Sequence, residues 1–122
     1  MAKKILVVDD SKTFRQQISI TLERKGYNPI EADDGIEGLE MLDEHDICIV
    51  ICDVNMPRMD GITMIEEVKK RAKYQGPIIM LTTEGGRETI EKGRQLGISC
   101  WMVKPFDPTT LLVAVEKLTA DA

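Results

Sequence analysis

The sequence predicts an α/β domain in which a five-stranded parallel sheet carries helices on both faces. Short apolar runs alternate along the chain with longer segments whose apolar residues recur at helical spacing. Such alternation is typical of a doubly wound sheet with right-handed crossovers. The run Ile47–Cys52 is apolar at every position, as expected of a central strand that is buried on both faces. The length of 122 residues suits one domain.

Five strand–helix units follow one another without a linker, a repeat or a low-complexity tract. The predicted strands are Lys4–Val8, Asn28–Ala32, Ile47–Cys52, Pro77–Leu81 and Ser99–Val103. The second strand contains Pro29, which suits the edge of a sheet because proline cannot donate to the ladder.

A helix is predicted after each strand from the spacing of its apolar residues. The residues expected on the buried faces are Phe14, Ile18 and Leu22; Ile36, Leu39 and Leu42; Ile62, Ile65, Val68 and Ala72; and Leu111, Leu112 and Val115. The fourth helix, Arg87–Leu96, is more polar and contains Gly93. Gly26 closes the first helix, and Asp107 with Pro108 should begin the fifth as N-cap and first helical residue.

Composition and charge exclude several classes of protein. The net charge of −5 and the pI of about 4.9 argue against a nucleic-acid surface, which needs clustered lysine and arginine. No apolar run approaches the ~20 residues that span a bilayer. Two aspartates follow the first apolar run, where a signal peptide would have a cleavage site, so we expect a cytoplasmic protein. The charge suits a cation or a partner with a basic patch.

The three cysteines do not form a recognisable framework. Cys48, Cys52 and Cys100 all lie in apolar runs, and no C-x-x-C pattern is present. An odd number of cysteines is a poor basis for disulfides. We interpret them as small buried thiols, with a redox role as the alternative.

Polar residues follow four of the predicted strands at the point where each strand ends. They are Asp9 and Asp10 after the first, Asp53 after the third, Thr82, Thr83 and Glu84 after the fourth, and Lys104 with Pro105 after the fifth. The carboxyl ends of parallel strands meet at one edge of a sheet, where ligands of such folds bind. Asp33 and Asp34 follow the second strand and would lie to the side if that strand is an edge.

Three carboxylates at one edge repel each other and need a cation or a proton. Two unit charges a few ångströms apart interact by roughly 4 kcal/mol at an effective dielectric constant of about 20. Carboxylate and carbonyl oxygens without histidine or thiolate suit Mg²⁺ or a similar hard ion such as Mn²⁺. We predict Asp10 and Asp53 as direct ligands, Asp9 as a ligand through water, and the carbonyl of Asn55 at a further metal position.

A metal, a lysine and a hydroxyl are the parts that phosphoryl transfer uses. A carboxylate can attack phosphorus and form an acyl phosphate, and Asp53 at the end of the central strand is the natural nucleophile. We expect Lys104 opposite the metal, Thr82 as a mobile donor, and the amides of Val54 and Asn55 as donors to phosphoryl oxygens. Pro57 and the Asp60-Gly61 pair should turn the loop back into the third helix.

Each residue also has an ordinary structural reading. Asp9 and Asp10 could only cap the first helix, Asp53 could end a strand, and Thr82 could be a turn residue. Lys104 could be solvated surface, and Trp101 could simply be half-buried on the fifth strand. The interpretation as one functional site is stronger than any single assignment, because the Asp9-Asp10 pair, Asp53, Thr82 and Lys104 all lie at strand ends on one edge of the sheet.

The motifs VVDD, Asp53 followed by MP and DG, LTTE, and VKPF resemble those of the receiver domains of bacterial two-component response regulators, in particular stand-alone chemotaxis regulators. The resemblance covers the whole chain and implies a flavodoxin-like fold with sheet order 2-1-3-4-5. It implies that Asp53 is the phosphoacceptor, that Asp9 and Asp10 hold Mg²⁺, and that Thr82 rather than Thr83 is the switch hydroxyl.

The resemblance also implies roles for residues around this site. Lys104 bridges to the phosphoryl group, the bond to Pro105 is cis, and the Thr83 amide is a phosphoryl-binding group. Trp101 is the switch aromatic, where the family usually has tyrosine, phenylalanine or histidine. Asn55 and Glu84 tune the lifetime of the phosphoryl group, which we expect to be short. The implied partners are a histidine kinase, an effector such as a flagellar motor switch protein, and a phosphatase.

The predicted function is therefore that of a monomeric phosphoacceptor that catalyses only its own phosphorylation and dephosphorylation. The expected domain covers residues 1–122 without an output domain, so signalling should pass through the surface of helix four, strand five and helix five. Four alternatives remain. A phosphatase with an aspartyl nucleophile would usually have a second aspartate where this chain has Asn55. A flavin binder is disfavoured because the acidic DDSKT loop would repel the flavin phosphate. A pseudo-receiver scaffold and a phosphorelay receiver outside chemotaxis are the others.

Overall fold

The computed structural model describes residues 2–54, 56, 58–71, 74–82, 87–104 and 107–120, with the backbone alone for residues 87–90. Within these residues, five strands alternate with five helices. In chain order they are β1 (Lys4–Val8), α1 (Lys12–Glu23), β2 (Asn28–Ala32), α2 (Gly35–Glu44), β3 (Ile47–Asp53), α3 (Gly61–Arg71), β4 (Ile78–Thr82), α4 (Arg87–Gln95), β5 (Cys100–Val103) and α5 (Pro108–Thr119). Every predicted element is present, with bounds that differ from the prediction by one residue or less at the strands.

The five strands form one parallel sheet in the order β2–β1–β3–β4–β5. This confirms the α/β architecture, the central position of β3 and the edge position of β2. Val8 pairs with Cys52, and Asp53 pairs with Leu81. The register therefore brings the carboxyl ends of β1, β3 and β4 to the same edge of the sheet.

Alternate residues of the central strands enter two separate core layers. Ile49 and Ile51 of β3 pack with α1 and α5, whereas Val50 and Cys52 pack on the face that carries α2 and α3. All of them are fully buried. This is the two-faced burial that a continuous apolar run predicts for a central parallel strand.

Helix α2 differs from the prediction in the face that it buries. Ile36 was expected on the buried face, but it is 37% exposed, whereas Gly35, Gly38 and Leu39 are buried. A Cβ atom on Gly38 would lie 3.0 Å from Sδ of Met64, so α2 approaches α3 closely at Gly38. Apolar spacing alone therefore does not identify the residues that α2 buries, because two of them are glycines.

The helix boundaries follow the predicted caps. Asp107 accepts a hydrogen bond from the Thr109 amide at 2.8 Å, and Pro108 begins α5. The N-cap of α1 is Ser11, whose hydroxyl accepts from the Phe14 amide, so neither of the two preceding aspartates serves as that cap.

The three cysteines are free thiols, of which Cys52 is buried and the other two are half-buried. Burial raises the pKa of the Cys52 thiol well above its ordinary value, and the neighbouring Asp53 adds to this effect. The prediction of buried thiols is thus confirmed for Cys52 and only partly for Cys48 and Cys100.

None of the helices in the described ranges has the length and apolar character needed to cross a bilayer.

Candidate functional site

Three carboxylates meet at the carboxyl edge of the sheet, as the sequence predicts. Asp9 directly follows β1, Asp10 is the next residue, and Asp53 ends the neighbouring strand β3. Each residue offers one carboxylate oxygen, and these three oxygens lie within 4.8 Å of one another. Asp9 and Asp53 are buried, whereas Asp10 is exposed. The cluster is therefore walled by protein on one side and open to solvent on the other.

Lys104 joins the cluster from the end of β5. Its Nζ lies 2.8 Å from Oδ2 of Asp9 and 3.4 Å from Oδ1 of Asp53. Its side chain is 11% exposed, which excludes the reading of this residue as solvated surface. The Lys104 amide donates to the Thr82 carbonyl at 2.7 Å, so the lysine also connects the ends of β4 and β5.

Asp9 is held more tightly than the sequence could indicate. Its Oδ2 accepts from Lys104, and its Oδ1 accepts from the Ser11 amide at 2.9 Å. The guanidinium of Arg15 donates to the Asp9 carbonyl at 2.6 Å and pairs with Glu31 of β2. Both carboxylate oxygens of Asp9 are thus engaged by the protein, whereas Asp10 faces solvent.

Phe14 and Arg15 are site residues that the sequence reasoning missed. The Lys104 ammonium lies 4.0 Å from the centroid of the Phe14 ring, which is a cation–π contact. Phe14 was predicted only as part of the buried face of α1. The available signal was position, since both residues lie in the first turn of the helix that follows the Asp9-Asp10 pair.

The electrostatics of the site favour a cation. Burial raises the pKa of Asp53, and the charges of Asp9 and Asp10 raise it further, while Lys104 opposes this shift. Three carboxylates with one ammonium leave an excess of negative charge. An all-oxygen anionic donor set fits a hard divalent ion such as Mg²⁺, which takes one or two carboxylates and keeps several waters.

Asp53 leads into a loop that is closely packed against it. A Cβ atom on Gly61 would lie 2.2 Å from the Asp53 carbonyl oxygen, so only glycine fits at the start of α3. The Gly61 amide donates to the Val54 carbonyl at 2.9 Å. This contact folds the loop back over the end of β3, as predicted for the Asp60-Gly61 pair.

The loop is also tied to α2 by an ion pair. Arg58, at φ 62°, pairs with Asp34, the buried N-cap residue of that helix. Burial alone would raise the pKa of Asp34, but the Glu37 amide and the Arg58 guanidinium outweigh it and lower that pKa.

The Val54 amide, predicted as a donor to a phosphoryl oxygen, has a backbone partner in this structure. This N–H donates to the Leu81 carbonyl at 3.0 Å, because the ladder between β3 and β4 continues past Asp53. A phosphoryl oxygen would have to compete with that bond. The predicted roles of Asn55, Thr83 and Glu84, the turn role of Pro57 and the cis bond to Pro105 fall on residues outside the described ranges.

The two predicted switch residues lie on neighbouring strands. Thr82 ends β4 and is 1% exposed, opposite Val103 in the register. Trp101 lies in β5 opposite Met80, is half-buried and packs on the core face that carries α3. The acids, the lysine and the threonine thus lie at the carboxyl edge of the sheet. Trp101 lies two residues before Val103 on β5, further from that edge.

A comparison with known protein families gives one match that spans most of the chain. A model of the response regulator receiver domain matches residues 5–116. The chemotaxis protein CheY1 of Helicobacter pylori is 41% identical over 116 residues, which are 93% of this chain and 94% of that protein. A chemotaxis protein CheY homolog of Campylobacter jejuni is 40% identical over 116 residues, 93% of this chain and 89% of that protein.

Solved structures show the same likeness in three dimensions. The structure of the Vibrio cholerae chemotaxis protein CheY4 at pH 4.0 has a TM-score of 0.90 and 39% sequence identity, over 97% of this chain and 99% of that chain. A CheY-like receiver domain from Methanospirillum hungatei has a TM-score of 0.91 at 25% identity. The sheet order 2-1-3-4-5 is shared with this flavodoxin-like fold.

Proposed function

The chain belongs to the response regulator receiver domain family, and on that premise we propose that Asp53 accepts a phosphoryl group from a phosphohistidine of a sensor kinase. The observation that carries this proposal is the position of the Lys104 ammonium, 2.8 Å from Asp9 and 3.4 Å from Asp53, inside a cluster of three carboxylates. A nucleophile, a fixed positive charge and a cation site thus converge on one point. Phosphoryl transfer depends on this kind of positioning and charge stabilisation.

The acidic cluster would hold Mg²⁺ through Asp10 and Asp53, with Asp9 acting through water and the Asn55 carbonyl as a further ligand. Asp9 suits the indirect role, because its two carboxylate oxygens already accept from Lys104 and Ser11. When bound, the ion supplies charge neutralisation at the phosphoryl oxygens and between the acids.

In the transfer step, an ionised carboxylate oxygen of Asp53 attacks phosphorus in line with the leaving group. The new O–P bond forms as the P–N bond to the donor imidazole breaks, and the electron pair of that bond returns to the ring nitrogen. Lys104 is close enough to follow the charge from Asp53 to the phosphoryl oxygens. Loss of the phosphoryl group occurs by attack of water, which Asn55 and Glu84 would orient, so the aspartyl phosphate should be short-lived.

The signal would follow from the changed charge at Asp53. A phosphoryl group carries about two negative charges where the carboxylate carried about one. Thr82, buried at the end of β4, would turn its hydroxyl toward a phosphoryl oxygen, and Trp101 on β5 would follow. Such a change is a shift between two packings, driven by the contacts that the phosphoryl group makes in one of them.

The output surface would comprise α4, β5 and α5. Val103 of β5 is 51% exposed and Val113 of α5 is 59% exposed, so both side chains are accessible to a partner. Because the named relatives are chemotaxis proteins, we place this chain in chemotaxis, with a flagellar motor switch protein as effector and a phosphatase as a further partner. A cytoplasmic location, a monomeric state and the absence of catalysis on other substrates are parts of the same proposal.

The proposal is tested by incubating the protein with Mg²⁺ and acetyl phosphate and measuring the intact mass. We expect a gain of one phosphoryl group, which is lost in Asp53→Asn and retained in Asp33→Asn, a carboxylate that follows β2 and lies outside the cluster. Beryllofluoride with Mg²⁺ should change the emission of Trp101, the single tryptophan of the chain. No mass gain and no emission change in the unmutated protein would refute the proposal.

A further inference from the structure

Helix α4 rests on β5 through a glycine and a tryptophan. Gly93 is buried near the end of the helix, and a Cβ atom built on it would lie 2.5 Å from Cζ3 and 3.2 Å from Cε3 of Trp101. Both ring atoms belong to the six-membered ring of the indole. Among the residues 91–95 of α4, whose side chains the structure describes, Gly93 alone is buried. The contact of the indole with the bare backbone at Gly93 therefore defines how this part of α4 meets the sheet.

A glycine inside a helix needs a physical reason, because it destabilises the helix relative to alanine. At Gly93 the backbone has helical geometry, so no left-handed conformation explains it. The reason is space. A methyl group here would also lie 2.9 Å from Cδ1 of Ile98, which is the flexible end of a side chain and can turn away. The Trp101 ring is rigid, so a methyl group at position 93 would displace the whole ring from this site.

The Trp101 side chain is not fully satisfied where it lies. Its Nε1 is buried and has no hydrogen-bond partner among the residues that the structure describes. Burying an N–H group without an acceptor disfavours the state in which it occurs. The indole is thus held against α4 by packing and not by a hydrogen bond from its Nε1 to the described residues.

We propose that Gly93 is the positioning residue for Trp101. By lacking a side chain it leaves the site on α4 that the indole occupies, and a side chain at this position excludes the ring from it. The proposal deepens the proposed function, on which its signalling consequence rests: Trp101 reports and transmits the state of Asp53 only while its place on α4 is available. It also explains how this chain accommodates an indole where its family usually has a smaller ring.

The first test uses the emission of Trp101 in the Gly93→Ala variant, without any phosphoryl donor. We expect an emission maximum at longer wavelength than in the unmutated protein, because the ring leaves its packed site for a wetter one. We also expect the response to Mg²⁺ with beryllofluoride to be lost, since one of the two ring positions is blocked. Arg94→Ala, an exposed neighbour on the same helix, should change neither. Emission and response like those of the unmutated protein would overturn the proposal.

The second test is a double-mutant cycle on thermal unfolding, followed by circular dichroism. With tryptophan at position 101, Gly93→Ala should lower Tm, because the ring and the methyl group compete for the same space. In the Trp101→Tyr background the same substitution should raise Tm, because the smaller ring leaves room and alanine favours the helix. A Tm change of the same sign in both backgrounds would overturn the proposal.

Failure of this inference and failure of the proposed function give different results. If Asp53 is not a phosphoacceptor, the unmutated protein shows neither a mass gain nor a response to beryllofluoride, while the emission of the unliganded variant and the unfolding cycle still test the packing. If Gly93 has no role, phosphorylation proceeds and the unfolding cycle shows no change of sign. Mg²⁺ binding, measured by calorimetry, should be the same in Gly93→Ala and in the unmutated protein.

Discussion

The Lys104 ammonium lies 4.0 Å from the centroid of the Phe14 ring. The same ammonium contacts Asp9 and Asp53, so its surroundings include one aromatic ring and two carboxylates. A cation over an aromatic face is stabilised electrostatically, more strongly when water is excluded. Since the Lys104 side chain is largely buried, Phe14 is placed to restrict where this charge can lie.

Replacing Phe14 by leucine should slow phosphorylation of Asp53 by acetyl phosphate. A cation–π contact contributes about 0.5–2 kcal/mol, so we expect the rate to fall by about 2- to 30-fold. Phe14→Tyr keeps the aromatic face and should remain close to the unmutated rate. Equal rates in the leucine and tyrosine variants would show that the ring does not restrain the lysine.

Removing the ammonium itself should separate metal binding from signalling. In Lys104→Ala the three carboxylates remain, so calorimetry should find Mg²⁺ binding retained. Trp101 emission should no longer respond to acetyl phosphate or beryllofluoride, because no cation connects the phosphoryl oxygens to the end of β5. Loss of Mg²⁺ binding in this variant would mean that the lysine helps to form the metal site, contrary to the roles assigned above.

Asp53→Asn should stabilise the fold, and the gain should depend on pH. Burial and the neighbouring acids raise the pKa of Asp53, so the folded state binds its proton more tightly than the unfolded state does. Stability of the unmutated protein is therefore lost as the pH rises through that raised pKa, and the asparagine variant lacks this loss. Urea unfolding from about pH 4 to pH 8, without Mg²⁺, should show the two proteins diverging as pH rises. Parallel curves would contradict the repulsion inferred here.

Mg²⁺ should raise the free energy of unfolding, since it binds the folded cluster and has no such site in the unfolded chain. At a free concentration of about 100 times Kd the gain is about 2.7 kcal/mol. Differential scanning fluorimetry should show the shift in the unmutated protein and in the matched control Asp33→Asn, whose carboxylate is exposed outside the cluster. A large reduction is expected in Asp10→Asn. An equal shift of Tm in the unmutated protein, Asp33→Asn and Asp10→Asn would mean that the ion binds outside the acidic cluster.

The N-cap of α2 gives a further prediction with a matched pair. Asp34→Ala removes the side chain that accepts from the Glu37 amide and should cost about 1 kcal/mol more than Asp34→Asn, which keeps a capping oxygen. The Glu37 amide and Arg58 lower the pKa of Asp34 against the effect of burial. The ionised Asp34 carboxylate therefore stabilises the fold above the pKa of the unfolded state, near 3.8. This stabilisation is lost as the pH falls through the lower pKa of Asp34 in the folded state. Acid unfolding of the asparagine variant should lack that loss.

The strand-end residues were predictable because two simple rules place them. The period of apolar residues locates each strand, and parallel strands bring their carboxyl ends to one edge, so Asp9, Asp53 and Lys104 were expected at the same edge of the sheet. The types of the polar residues then predict that the site binds a hard cation and a phosphoryl group. No side-chain contact is needed for any of these steps.

The contacts that were not predicted depend on distances that sequence does not encode. Ile36 has the right spacing to be buried, but α2 buries Gly35, Gly38 and Leu39 and leaves Ile36 37% exposed. Phe14 has the right spacing for the core and also lies against Lys104 from another part of the chain. The Val54 amide was predicted as a donor to phosphoryl oxygens, and its hydrogen bond to the Leu81 carbonyl was not predicted.

The unequal exposure of the three acids has a kinetic consequence. Asp9 and Asp53 are covered by protein, and Asp10 is the member of the trio that meets solvent. An ion that approaches from the solvent would then meet the Asp10 carboxylate before the two buried ones, so association should begin at Asp10.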